Sequence, residues 1–206
     1  MEQIALSALK SSLIDEISSS KNEPNWLKEY RKSSLSIYDE LPVEVSPLYN
    51  KYTDAKRMNP KKISLSINSD SKIPNFLSER VEALKTETGV IQIGSNILST
   101  NLSEELKTKG VILSSIDDAL KQHHDIIEKV IKSSNSNEDK YTALNNAAFN
   151  SGIFVYIPKN QIIDEPIHFL SCLSEDGIST ITRNVIIVED NAKANIVQEL
   201  YSPKNE

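Results

Sequence analysis

Three groupings of side chains in the 206-residue chain have types and spacings that invite chemistry. His123 and His124 are followed by Asp125, all metal-ligand types. Neighbouring residues on a helix point about 100° apart, so the two histidines cannot easily chelate one ion, and solvated helix histidines are the simpler expectation. His168 and Cys172 lie four apart in an apolar run and share one strand face, the arrangement of a metal pair or a Cys/His nucleophile. Four strand residues span about 13 Å, which is too far for direct contact and favours a packed thiol beside a satisfied histidine. Glu189, Asp190 and Glu199 offer the paired carboxylates that glycoside hydrolysis uses on β-helical enzymes. The first two fall in a turn and no Lys/Arg cluster shares their face, so solvation accounts for them. The five glycines, Gly89, Gly94, Gly110, Gly152 and Gly177, are isolated, and neither a phosphate-binding loop nor a Gly-x-Ser-x-Gly elbow occurs. With one cysteine, the chain alone can build neither a disulfide nor an all-cysteine zinc or cluster site. No catalytic, cofactor-binding or metal-binding residue is assigned.

The elements that must position these side chains are organised around residues 141–166, where a helical pattern gives way across Ser151-Gly152 to a strand pattern. Residues 153–157 are all β-branched or aromatic, and Pro158-Lys159-Asn160 supplies turn chemistry, with Asn tolerating the left-handed region. Ile153, Val155 and Ile157 make one apolar face and Phe154 and Tyr156 the other, so this strand is expected to be covered on both sides, as in parallel sheets. The pattern recurs 31 residues later, where residues 185–188 are followed by Glu189-Asp190-Asn191 and a second strand-like run at 192–200. Such an offset is what stacked β-coils would show. Residues 90–97, turning at Gly94-Ser95-Asn96, form either a third such arc or an ordinary hairpin.

Ahead of this region the patterns are mainly helical. Ile4, Leu9, Leu13 and Ile17 predict an amphipathic helix over 4–17, and a second runs from Glu23-Pro24 past Trp26, a core anchor, to Pro42. Residues 49–58 hold one irregular or helical stretch, 63–67 alternate as a half-buried strand, and Ser69-Asp70-Ser71 reads as a turn. A brief helix at 78–84 and another opening near Asn101 or Ser103 and closing at Gly110 follow, then a short strand at 111–113. Ser114 and Asp117 have capping-box spacing for the next helix. The polar run 133–139 is a loop leading into a helix that ends at Asn150. The expected fold class is α+β: a mainly helical domain with short strands over 1–150, then the start of a parallel β-helix over 151–206. Two coils leave an open strand edge, which proteins normally cover, so the β region is expected to be a fragment or half of an assembly.

Net charge is -6 at 38% hydrophobic content, enough for a packed core, and no Lys/Arg-rich stretch with interleaved aromatics marks a nucleic-acid surface. No segment approaches the roughly 20 apolar residues of a membrane span, and the first residues lack a secretory pattern, so a cytoplasmic location is expected.

The stretch TALNNAAFNSGIFVYIPKNQIIDEPI, preceded by GVILSSIDDALKQH and followed by TRNVIIVEDNAKANIVQEL, resembles the SufB/SufD family of iron–sulfur cluster assembly scaffold proteins. EPNWLKEYRKSSLSIYDELP looks like that family's N-terminal helix, so the resemblance covers about residues 23–203. It implies a helical N-terminal domain and the first coils of a right-handed parallel β-helix (solenoid), apparently truncated, with the remaining coils and a C-terminal helical domain beyond Glu206. The chain looks more like SufD than SufB: Tyr201 stands where the SufB pattern has the cysteine of a Glu-Gly-Cys run, and Asn160 stands where the family usually has Gly. The resemblance implies a noncatalytic scaffold subunit of a SUF-type complex with a SufB-like paralogue and a SufC-like ATPase. No cofactor is then held by this chain, and a transient iron–sulfur cluster is cargo of the full complex. The family's cluster-related residues and its SufC-binding surface lie beyond these residues. Two rivals remain: a β-helical carbohydrate-active enzyme, and an interaction module complete at this length that self-associates through its open β edge.

Overall fold

A computed structural model describes residues 3–5, 10–43, 64–66, 72–134, 137–173 and 178–202. The predicted helix or irregular stretch over 49–58 and the turn at 69–71 lie outside them. The chain is a mixed α+β protein with seven α-helices among the described residues. In order these are β1 (Gln3–Ala5), α1 (Ser11–Ser20), α2 (Asn25–Glu40), β2 (Ser64–Ser66), α3 (Ser78–Leu84), β3 (Gly89–Ile93), β4 (Asn96–Asn101), α4 (Glu104–Thr108) and β5 (Ile112–Ser115). There follow α5 (Ile116–Gln122), α6 (His124–Ser133), α7 (Lys140–Ala148), β6 (Ile153–Ile157), β7 (Ile167–Cys172), β8 (Ile178–Ser179), β9 (Val185–Val188) and β10 (Ile196–Tyr201).

Several predicted boundaries move for identifiable reasons. The helix predicted over 4–17 begins only at Ser11, and Ile4 instead pairs with Leu65 in the β1–β2 ladder. Among the described residues of that stripe, Leu13, Ile14 and Ile17 are buried. The cap of α5 is Ser115, one residue after the predicted Ser114: its Oγ accepts from the Asp118 N–H at 3.0 Å. Ser114 belongs to β5, opposite Phe154, and strand pairing takes precedence over capping there. The turn at 94–96 closes an antiparallel hairpin, β3–β4, and not a coil.

Three sheets run β1-β2-β8, β10-β7-β3-β4 and β5-β6-β9. Within them the chain from Ser151 to Cys172 lies parallel to its continuation from Thr182 to Tyr201. β6 pairs with β9 in the predicted register, Phe154 opposite Val185 at an offset of 31, and β7 pairs with β10 at an offset of 29, Ile167 opposite Ile196. Isolated bridges Ser151–Thr182 and Ile162–Lys193 tie the intervening turns. At the shared corner Asn160 and Asn191 adopt φ of 62° and 59°, and Asn191 Nδ2 donates to Asn160 Oδ1 at 3.2 Å. Gly152 is required by close approach: a Cβ there would lie 1.9 Å from the Arg183 carbonyl oxygen.

The two faces of β6 are both buried, as their composition predicts. Val155 and Ile157 point between the sheets, against Val90, Leu113, Ile167 and Phe169. Phe154 packs outward with Ile116, Ala119, Ile127 and Ile131 of α5 and α6. α1, α2 and α7 form a second layer through Leu13, Ile14, Ile17, Leu35, Ala147 and Ala148. Arg31 is fully buried there, its Nε and Nη2 donating to the two Glu23 oxygens at 2.9 and 2.7 Å, its Nη1 to Ala147 O at 3.1 Å, and its plane 3.8 Å from the centre of the Phe149 ring. Burial of this cation is tolerable because the carboxylate and a carbonyl replace its water.

Candidate functional site

Among the described residues, a connected set of ionisable side chains lies where α3 covers the outer face of β3, β7 and β10. Parity along the paired strands places His168, Leu170 and Cys172 on that face, with Ile91 and Ile93 on one side and Val197, Glu199 and Tyr201 on the other. Val81 and Leu84 of α3 seal the apolar end against Leu170 and Cys172. The polar end is built round Arg80. Its Nε and Nη2 donate to Glu199 Oε2 and Oε1 at 2.9 and 2.6 Å, and its Nη1 donates to Glu87 Oε1 at 3.1 Å. His168 Nδ1 lies 3.1 Å from both Arg80 Nη2 and Glu199 Oε1, and the Tyr201 hydroxyl donates to Glu199 Oε2 at 3.1 Å. Gly89 lets this histidine's strand come close, since a Cβ there would lie 2.5 Å from the His168 carbonyl oxygen.

The electrostatics follow from that geometry. The Arg80 guanidinium, with the Tyr201 and His168 contacts, holds the Glu199 carboxyl down at about 2. Arg80 likewise lowers Glu87, and the two carboxylates raise Arg80. Accepting the Tyr201 hydroxyl raises that phenol, so it stays a neutral donor. Burial pushes the Cys172 thiol up, and its S–H donates to Leu173 O at 3.2 Å. A protonated, buried thiol is a poor nucleophile and a poor ligand. Every charge in the set is answered inside it, which suits a clamp between α3 and the paired strands β7 and β10 better than a reacting centre.

The other candidates separate. His124 and Asp125 contact each other at 3.0 Å on an exposed surface, while His123 ends α5 and its ring lies 5.7 Å from that of Phe154. His168 and Cys172 share a face, as predicted, but each has its own partners. Glu189 and Asp190 do not meet Glu199: the first two follow β9, where Asp190 pairs with Lys159 at 3.0 Å, whereas Glu199 lies in a different sheet on Arg80. Among the described residues no group of three or more His, Cys, Asp or Glu is arranged to hold a metal ion. A polar cleft of about 730 Å³ between β4 and the α1–α2 turn has its Lys21 and Asp117 already bridged at 2.5 Å. Trp26 is partly buried against the α5–α6 core, with Lys132 Nζ 5.5 Å from its ring centre. No helix among the described residues is long and apolar enough to cross a membrane.

The Arg80–Glu199 clamp is the feature that sequence reasoning missed. His168 and Glu199 are 31 residues apart, but β7 and β10 pair at an offset of 29, with Glu199 opposite Leu170, so the 31-residue spacing of β6 and β9 did not point to their meeting. Arg80 carried no signal, because nothing local to α3 says which strand it will cover.

A family model described as the SufBD protein N-terminal region matches residues 15–169. The chain is 26% identical to an "Iron-sulfur cluster assembly SufBD family protein" of Staphylococcus aureus (strain USA300), over 95% of the chain and 44% of the relative. It is also 26% identical to the "Iron-sulfur cluster assembly protein SufB" of Bacillus subtilis (strain 168), with the same coverage. It therefore spans 44% of the length of these relatives. On the family match, which takes in both helical layers and runs into β7, the chain belongs to the SufB/SufD family of iron–sulfur cluster assembly proteins, as its N-terminal region.

Proposed function

We propose that the chain is the N-terminal part of a SufD-like, noncatalytic scaffold subunit of a cytoplasmic SUF-type iron–sulfur cluster assembly complex. The observation that carries the SufD-like assignment is Tyr201. It occupies the place of the SufB-pattern cysteine, is the register partner of Cys172, and spends its hydroxyl on Glu199. A thiol there would have faced Cys172; a phenol locked to a carboxylate offers a cluster nothing soft to bind. The cluster is cargo of the full complex, and the partners are a SufB-like paralogue and a SufC-like ATPase.

Residues 1–150 contribute the mainly helical domain and 151–206 the first coils of a right-handed parallel β-helix. Support comes from the two parallel strand pairs and the stacked Asn160 and Asn191 at one corner, the device by which solenoid coils keep register. In the longer protein, β9 and β10 amides should exchange as slowly as those of β6 and β7, because a further coil covers them. Fast exchange confined to β9 and β10 there would overturn the solenoid assignment.

The scaffold role is tested with Cys172→Ser in the full-length protein, co-expressed with the paralogue and the ATPase. Cluster formation on the complex, read by visible absorbance, should be unchanged. Loss of the cluster from a correctly folded, correctly assembled complex would show that Cys172 is a ligand.

A further inference from the structure

The polar cleft beside the α1–α2 turn runs along an unused strand edge. Ile97 packs against the cluster of Val90 and Leu113, whereas Leu98 packs against that of Leu84 and Ile91, so the two side chains point to opposite faces of their sheet. Both nonetheless line the same cleft, together with Ser99 and Thr100. A cavity that meets successive residues of both parities touches a strand at its edge and not on one face. β3 holds one edge of β4, and β4 ends its sheet among the described residues. The other edge, from Ile97 to Thr100, therefore turns its backbone N–H and C=O groups into the cleft. Such a row is a template for a further strand, and neither a proline nor a charged side chain interrupts it.

The ladder available there is short. Leu98 is the extra residue of a bulge, lying between Ile97 opposite Gln92 and Ser99 opposite Ile91. An added strand gains few main-chain bonds past such a break and needs anchorage for its side chains as well. Two features of the cleft supply it. Ser151, 2% exposed, lines the cleft with its Oγ buried and without a hydrogen-bond partner, an unspent hydroxyl in the wall. The cleft also shares Lys21 and Lys121 with an adjoining cavity of about 340 Å³ walled by Pro24, Trp26 and Leu120, which has room for a large apolar side chain. Charge narrows the choice of occupant: Lys21 and Lys121 are balanced by Asp117 and Asp118, so the cleft has no net charge with which to hold a phosphate or a nucleic acid. A neutral amide backbone suits it.

We propose that this cleft is a docking site for a short extended segment of a partner polypeptide, which adds to the free edge of β4 and sends an apolar side chain against Trp26. The partner is not a second copy of this chain, because every described strand is already built into a sheet, and a cleft hemmed in by the α1–α2 turn and α5 admits one strand and not the edge of a sheet.

Trp26 is the single tryptophan of the chain, so its emission reports on the anchor cavity. The probe is the blocked peptide acetyl-Phe-Thr-Val-Thr-Val-Phe-amide, whose two aromatic ends serve either strand direction, titrated with excitation selective for tryptophan. Binding should shift the Trp26 emission to the blue saturably and slow exchange of the β4 amides between Ile97 and Thr100. The same peptide N-methylated at its threonines and valines, which cannot donate to a ladder, should bind about tenfold more weakly, and Ser151→Ala should weaken binding of the parent peptide. No saturable shift, or equal binding of the methylated peptide, would overturn the proposal. Exchange slowed at β9 or β10 instead of β4 would move the added strand to those edges and overturn the site. Unchanged affinity with serine in place of both phenylalanines would overturn the Trp26 anchor. A blue shift with β4 protection on concentrating the chain without peptide would overturn the partner in favour of a second copy.

Discussion

Glu23 and Arg31 carry one consequence that is sharp at the level of single residues. Their side chains are 1% and 0% exposed, and Glu23 also accepts from Ser18 Oγ at 3.1 Å. Glu23→Gln leaves a buried guanidinium without its counter-charge and should cost about 3–5 kcal/mol of stability by urea unfolding. The double change Glu23→Leu with Arg31→Met should cost much less, since no buried charge remains. Glu199 gives a pH signature. Its carboxyl titrates at about 2 folded against 4.5 ordinarily, so the unfolded chain binds the proton first as pH falls. The stabilisation, on the order of 3 kcal/mol, is present in full above about pH 4.5 and is lost as pH falls toward 2. Between pH 5 and pH 3, Glu199→Gln should therefore lose less stability than the parent chain; equal slopes would mean that Arg80 does not depress this carboxyl. Both ion pairs join residues distant in sequence or hidden in helical faces, which is why residue types alone showed Glu199 as a carboxylate but not its partner.

Among elements, α5 separates local from tertiary control. Ser115 Oγ both accepts from the Asp118 N–H and donates to Asp118 Oδ2 at 2.7 Å. Ser115→Ala should cost about 1 kcal/mol, whereas Ser114→Ala should be nearly neutral. The opposite ranking in thermal unfolding would put the cap back at Ser114. The sequence contained the right chemistry, a serine three residues before an aspartate, in two adjacent registers, and only the β5–β6 ladder chooses between them. β6 and β9 were legible because alternation and the asparagine turns act over a few residues. The 29-residue offset of β7 and β10 was not, because the chain carries two more residues between Ile162 and β7 than between Lys193 and β10. β1 was read as helix, since three residues paired with a strand 60 positions away leave no local trace.

For the molecule as a whole, β9 and β10 present an uncovered apolar layer among the described residues. Ile186, Val188 and Leu200 are 42%, 46% and 73% exposed, whereas Val155 and Ile157 one layer back are fully buried. An apolar layer beside the free edges of β9 and β10 is a template for association. The chain should self-associate with rising concentration in sedimentation velocity, and Leu200→Lys should weaken this without changing the circular dichroism spectrum. A parent chain that stays monomeric at high concentration would contradict the expectation.

The β1-β2-β8 sheet joins Gln3–Ala5 to Ile178–Ser179, and Arg31 waits for the Ala147 carbonyl 116 residues later. At a ribosomal rate of about 5–20 residues per second, roughly 6 to 23 s separate the synthesis of these two partners. Over that interval the nascent α1 and α2 carry their apolar stripe and an unanswered ion pair with nothing to bury them, which makes them natural cargo for a ribosome-associated chaperone. The helical layer, though made first, becomes native only once α7 has emerged to cover it.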